Sequence, residues 1–171
     1  AGSRALRPGR QGYALRMREG GGISDDLRMA NVGKWFLVVV NAAGKDADFA
    51  LIRAGMADVC EVEFLSDRAR IAAQGPAAVA AMAELAPATA AMRFMDVIET
   101  DIAGVACIVS RPGYTGEDGF AIGLPAGQAE DVARSLPACT DIAAAGLGAR
   151  ASLRLGAGVC LYGSGADPPR C

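Results

Sequence analysis

The sequence predicts an α+β protein, in which part of one α+β ligand-binding domain leads into a ferredoxin-like split β-α-β domain. Three observations carry that expectation. Short apolar stretches of strand length recur among four helical stretches. Breaker clusters at Gly20-Gly21-Gly22, Gln74-Gly75-Pro76 and residues 113–119 divide the chain into units. From residue 60 onward the elements run β-α-β-β-β-α-β, the split β-α-β order with one extra strand.

Residues 1–59 read as the closing part of the first unit. A strand over 13–17 ends in the glycine turn, the chain is extended again over 23–29, and Asn31, Val32 and Gly33 form a hairpin turn. The continuous apolar run over 35–41 predicts a strand buried on both faces. Phe49, Ile52 and Arg53 repeat at helical spacing within 46–56, with Gly55 near the end.

Residues 60–146 form the ferredoxin-like unit. A strand over 68–73 meets Gln74-Gly75-Pro76, which places proline in the first turn of a helix over 77–85. Strands over 94–102 and 105–111 are split by Gly104, and a polar glycine turn leads to a strand over 120–124. A helix over 128–136 and an extended piece over 141–144 close the unit. Residues 147–171 hold a returning helix over 147–155 and a glycine-rich tail.

Composition narrows the chemistry. The chain has 171 residues, 52% of them apolar and 21% charged, the balance of a packed domain. A net charge of −2 supplies no field to draw nucleic acid or an anionic membrane, and no apolar run approaches the length of a bilayer span. The arginine-rich start resembles a transit peptide, but it passes without a break into a strand, so strand-edge arginines are the expected reading. Histidine is absent, which removes the usual general base, the Ser-His or Cys-His pair and the commonest metal ligand. The five cysteines have no C-x-x-C spacing, so no metal site is expected and buried reduced thiols are.

Three features bear on function. Neighbouring strand residues face opposite ways, so Asp25 and Asp26 are not expected to share a site. Asp25 falls with Leu27 and Met29 on the better core face, and Asp26 falls with Arg28 and Ala30 toward a cleft or solvent. Both acids also suit turn residues capping the glycine loop. The segment from Arg111 to Phe120 is either a plain hairpin or a turn that lets a ligand approach, with Tyr114 placed to stack a heterocycle. Gly146-Leu147-Gly148-Ala149-Arg150-Ala151 imitates a dinucleotide fingerprint, yet too few residues follow for the β-α-β unit that fingerprint needs. Arg150 there is either a surface arginine or a bidentate partner for a ligand oxygen.

Taken jointly, these segments resemble a known family. Gly21-Gly22-Ile23 then Asp25-Asp26-Leu27, Val39-Val40-Asn41-Ala42-Ala43, Gln74-Gly75-Pro76, Ser110-Arg111 then the glycine turn to Phe120, and Gly148-Ala149-Arg150 then Ser152-Leu153-Arg154-Leu155 run in the order of the glycine-cleavage T-proteins. Cys160-Leu161-Tyr162-Gly163 continues the match, which covers almost the whole chain. The Lys-Gly-Cys-Tyr-x-Gly-Gln-Glu signature of the folate-binding relatives in iron–sulfur maintenance is absent.

The resemblance implies a tetrahydrofolate-dependent aminomethyltransferase. Such enzymes take an aminomethyl group from a lipoylated carrier protein (the H-protein), pass its one-carbon unit to tetrahydrofolate and release ammonia. It implies Asp26 as the acid acting on the folate's bridging nitrogen, Arg150 as a folate contact, and Tyr114 and Val39 as pocket lining. It also implies a bacterial cytosol or a mitochondrial matrix, and an N-terminal portion and C-terminal domain beyond this chain, so that the chain alone is expected to turn over little.

Three positions depart from the family pattern: Ala121 and Gly156 stand where it has glutamate, and Ala151 where it has an acid. Losing a buried charged contact of this kind costs about 2–4 kcal/mol, so weakened folate binding is expected. The alternative is a non-catalytic folate-binding or regulatory module of the same fold.

Overall fold

The computed structural model describes residues 6–18, 21–136 and 142–163. Two antiparallel sheets carry an α+β fold. The first has strands β1 (Arg10–Met17), β2 (Ile23–Asn31) and β3 (Phe36–Val39) in that order, followed by helix α1 (Lys45–Met56). The second contains β4 (Arg68–Gln74), β5 (Val97–Ile102), β6 (Val105–Ser110) and β7 (Gly119–Pro125) in the order β4-β7-β6-β5. Helix α2 (Ala78–Leu85) joins β4 to β5, α3 (Ala129–Ser135) follows β7, and α4 (Leu147–Gly156) returns toward the first sheet. Because β4 and β5 stand at opposite edges with two strands between them, the strand-helix-strand unit is split, as the element order predicts.

The second sheet holds the core. Phe120, Ile122 and Leu124 alternate along β7 and point to one face with Val105, Cys107 and Val109 of β6. Ala78 and Met82 of α2 and Val132 of α3 cover that face. Full burial of a side chain such as Phe120 contributes about 2–3 kcal/mol. The opposite face carries small residues, Gly119, Ala121 and Gly123, beside Gln74, Ala72 and Arg70 of β4. That face has no helix of its own and turns toward the first sheet.

Strands β5 and β6 are joined by only Ala103 and Gly104, with φ of +52° and +79°. A two-residue hairpin of this hand needs both residues left-handed, which glycine accepts freely and alanine does not. Ala103→Asn is therefore expected to stabilise the fold by about 0.5–1 kcal/mol, measured as a higher urea midpoint with unchanged slope.

Three expectations need correction. The run over 35–41 gives a four-residue strand at the edge of its sheet, not one buried on both faces: Trp35 is 39% and Phe36 53% exposed. Strand β3 pairs only with β2, so apolar continuity there reflects one covered face beside an open one. The strand expected over 94–102 begins at Val97, because Met95 has φ of +68° and cannot continue a ladder; Phe94 is left 61% exposed. Asp141 lies outside the described residues, and residues 142–146 join no ladder, although Ile142 packs on the core.

Candidate functional site

The register of the first sheet decides which side chains share its open face. Tyr13 lies opposite Arg28, Leu15 opposite Asp26, and Arg28 opposite Val39. With side chains alternating, Tyr13, Leu15, Asp26, Arg28 and Val39 present one face. Asp25 and Leu27 present the other and are 1% and 8% exposed. The expected division between the two acids is thus observed.

Their separation is not complete. The Asn41 amide nitrogen donates to Asp25 Oδ1 at 2.7 Å and to Asp26 Oδ1 at 2.8 Å, and reaches the Asp26 carbonyl at 3.1 Å. The expectation that neighbouring acids cannot share a site therefore fails at the strand edge. Pairing between β2 and β3 stops at Arg28, so the edge beside Asp25 and Asp26 is open and the chain after Val39 crosses it. A second donor to Asp26 Oδ1 comes from the Tyr162 backbone at 3.0 Å, which ties the segment after α4 to the first sheet.

Behind Asp25 lies a second acid. Asp48, in the first turn of α1, is 1% exposed and forms an ion pair with Arg16 at 2.5 Å. The Oδ2 atoms of Asp25 and Asp48 flank the same point above Gly44 and neither meets a donor. One proton on Asp48 satisfies both oxygens at once. Burial, with the adjacent Asp25 acting by hydrogen bond and charge, pushes Asp48 up to about 6 against the pull of Arg16. Burial alone would raise Asp25 too, but bonds from Asp48, Asn41 and the Asp26 backbone carry it below the ordinary carboxylate range. A cleft of about 600 Å³ opens beside this pair, lined also by Ser24, Leu51 and Tyr162.

The glycine turn between β6 and β7 supplies Tyr114, and α4 supplies Arg150. Arg150, in the first turns of α4, lays its guanidinium 4.0 Å from the Tyr114 ring centroid, a cation–π contact. Tyr114 is held by its backbone N–H, which donates to Gln74 Oε1 at 2.9 Å, while Gln74 Nε2 donates to the Phe120 carbonyl at 3.1 Å. Gly119 permits this latch: a Cβ there would stand 2.5 Å from the Gln74 amide. Arg111 is committed elsewhere, pairing with Asp118 and the Met92 carbonyl. A second cleft of about 580 Å³ lies on that side of the glycine turn, away from Tyr114.

Arg28 links the two halves. It is half-buried and interacts electrostatically with Tyr13, Arg150, Tyr114 and Asp26. Of the four sequence-derived candidates, Asp26 shares the Arg28 face, Val39 lies opposite Arg28, and Tyr114 and Arg150 stack on each other and act on Arg28 electrostatically. Sequence reasoning missed Asn41, Asp48 and Arg28. Asn41 was visible only as a polar residue ending an apolar run, and Arg28 only as an ordinary strand residue. Among the described residues no cluster of acids and cysteines is arranged to hold a metal, and no helix is long and apolar enough to cross a membrane.

Comparison with known proteins identifies the family. Residues 2–169 match the family described as the GCVT N-terminal domain. The aminomethyltransferase of Rubrobacter xylanophilus is 42% identical over 166 residues, covering 95% of this chain and 44% of that protein. The mitochondrial aminomethyltransferase of Gallus gallus is 42% identical over 172 residues, covering 95% and 43%. The crystal structure of the glycine cleavage system aminomethyltransferase T from Bartonella henselae superposes with a TM-score of 0.82 at 36% identity, covering 96% of this chain and 45% of that one. The chain thus spans less than half the length of these relatives. It belongs to the family described as the GCVT N-terminal domain.

Proposed function

We propose that this chain carries the tetrahydrofolate site of an aminomethyl transfer reaction. The aminomethyl group arrives on a lipoylated carrier protein, its one-carbon unit passes to tetrahydrofolate, and ammonia leaves. The setting is a bacterial cytosol or a mitochondrial matrix. The observation that carries this reading is a carboxylate fixed by two donors on the open sheet face that also borders the stacked Tyr114–Arg150 pair.

The residues fit a folate in three respects. Asp26 is held in one orientation by Asn41 and the Tyr162 backbone, which leaves Oδ2 free to accept from a ring nitrogen and to steer its protonation. A fixed anion beside a nitrogen that becomes cationic during transfer stabilises that charge without reorganising. The buried Nε of Arg150 has no partner and offers a donor to a ligand oxygen. Val39 and the Tyr114 ring supply apolar walls. Ala121, buried beside Ala72, offers no acid to a pterin edge, so affinity is expected to be low.

Titration calorimetry with tetrahydrofolate, paired with ammonia release from the aminomethyl carrier, tests the reading. Asp26→Asn should keep binding within about tenfold while removing transfer, as expected for a proton-steering group. Binding without transfer when the chain is joined to the remaining part of a relative would favour a non-catalytic folate module, and no binding at millimolar tetrahydrofolate would end the folate reading.

A further inference from the structure

The transfer reaction leaves the acid pair behind the first sheet without a role. Asp25 on β2 and Asp48 on α1 are each 1% exposed, and both line the cleft of about 600 Å³ described above. Their Oδ2 atoms approach one point from two different elements, and among the described residues no N–H or O–H reaches either atom. Ionised carboxylates accept hydrogen bonds and donate none, so the two cannot satisfy each other. A buried acceptor left without a donor is rare in folded proteins and calls for a partner.

The charge balance gives the sign of that partner. The charged side chains lining the cleft are Arg16 and Arg18 beside β1, Asp25 on β2 and Asp48 on α1, and the segment after α4 adds Tyr162. Arg16 is committed to Asp48, and Arg18 is exposed to water. Asp25 has neutral donors only, the Asn41 amide and the Asp26 backbone, both on Oδ1. One negative charge in the wall is therefore uncompensated when both acids are ionised, and a cation is the partner that balances it. Two carboxylates are too few for a divalent metal, and no third acid or cysteine joins them among the described residues. The two oxygens call for a cation that carries its own N–H donors.

Gly44 leaves room for one. Its φ of −101° is open to any residue, so the backbone itself does not require glycine there. A Cβ at this position would stand 3.2 Å from Asp48 Oδ2 and 3.7 Å from Asp25 Oδ2, crowding the place where the two oxygens converge.

We propose that Asp25 and Asp48, with Gly44 leaving space beside their oxygens, form a binding site for ammonium, held by N–H donation to both carboxylates. Ammonium replaces the shared proton: one N–H bonds to each Oδ2, and the proton leaves to solvent. Burial and the neighbouring Asp25 keep that proton on Asp48 up to about pH 6, so the two cations compete below that pH. Binding does not depend on the folate reading. Its use does: Asn41 and Tyr162 connect the cleft to Asp26, so that ammonia released by the transfer is seated there as ammonium.

Calorimetry on the whole chain at pH 7.5 compares ammonium chloride with potassium chloride, whose cation has nearly the same radius and no donors. Ammonium is expected to bind about tenfold tighter, as charge-assisted hydrogen bonds add to charge alone. Its affinity is expected to fall about tenfold per pH unit below pH 6, because each ion bound displaces one proton. Asp48→Asn supplies its own donor to Asp25, and Gly44→Ala crowds the site; each should erase the preference for ammonium with circular dichroism unchanged. Equal affinities for the two cations, or a preference that survives both substitutions, would overturn the site. Tetrahydrofolate is titrated separately. Ammonium binding without folate binding upholds the site and sinks the folate reading, whereas folate binding without a preference for ammonium overturns the site alone.

Discussion

Asn41→Leu is expected to destabilise the fold by about 3 kcal/mol and to weaken tetrahydrofolate binding by up to about tenfold, because it strands two carboxylates with one substitution. Leucine branches at Cγ as asparagine does, so the outline is kept while every hydrogen bond is lost. The Asn41 amide is the one side chain that donates to both Asp25 and Asp26 among the described residues. Asp25 is 1% exposed and cannot recover a lost donor from water. Asp26 would keep only the Tyr162 backbone donor, at 3.0 Å, and its carboxylate would be free to turn. Urea unfolding reads the first effect and calorimetry with tetrahydrofolate the second. Asn41→Asp gives a sharper contrast: it places a third acid at the strand edge and should cost more than leucine at pH 8 but less at pH 4. Equal urea midpoints for the unsubstituted chain and Asn41→Leu would show that Asn41 does not secure the acid pair.

Legibility in the sequence followed the range of the interactions. The elements of the second sheet were readable because each is set locally: the alternation of Phe120, Ile122 and Leu124, the break at Gly75-Pro76, which stands just before α2 and not in its first turn, and the turn at Gly104. The opposite orientations of Asp25 and Asp26 were readable for the same reason, since strand geometry alone imposes them. Asn41 was not, because its role depends on where β3 stops pairing, sixteen residues from Asp25. Arg28 was harder still, because its link to Tyr114 and Arg150 joins a strand of the first sheet to a turn and a helix more than eighty residues further on. The exposed Trp35 and Phe36 failed for a related cause: apolar residues at an edge read in sequence like apolar residues in a centre.

The acid pair behind the candidate site gives the second large effect, a stability that falls as pH rises in a window where little else titrates. Asp48 has a folded-state value of about 6 against an ordinary 3.8, so the folded chain holds this proton more tightly than the unfolded one. The associated stability is fully present below pH 3.8 and is lost as pH rises to about 6, a change of about 3 kcal/mol. Asp25 is shifted the other way, so its contribution is present above its ordinary value and is lost only as pH falls below it. Asp96 and Asp118 are lowered as well and likewise act only at the acid end. With no histidine in the chain, Asp48 stands nearly alone between pH 4.5 and 7. Asp48→Asn keeps a donor toward Asp25 and an oxygen toward Arg16 while carrying no proton to lose. It is expected to match the unsubstituted chain at pH 4.5, to exceed it by about 2 kcal/mol at pH 7.5, and to flatten the profile between. Urea midpoints at those two pH values decide the matter. Parallel profiles for the two proteins would mean that Asp48 is ionised throughout, with Arg16 rather than a shared proton neutralising the pair.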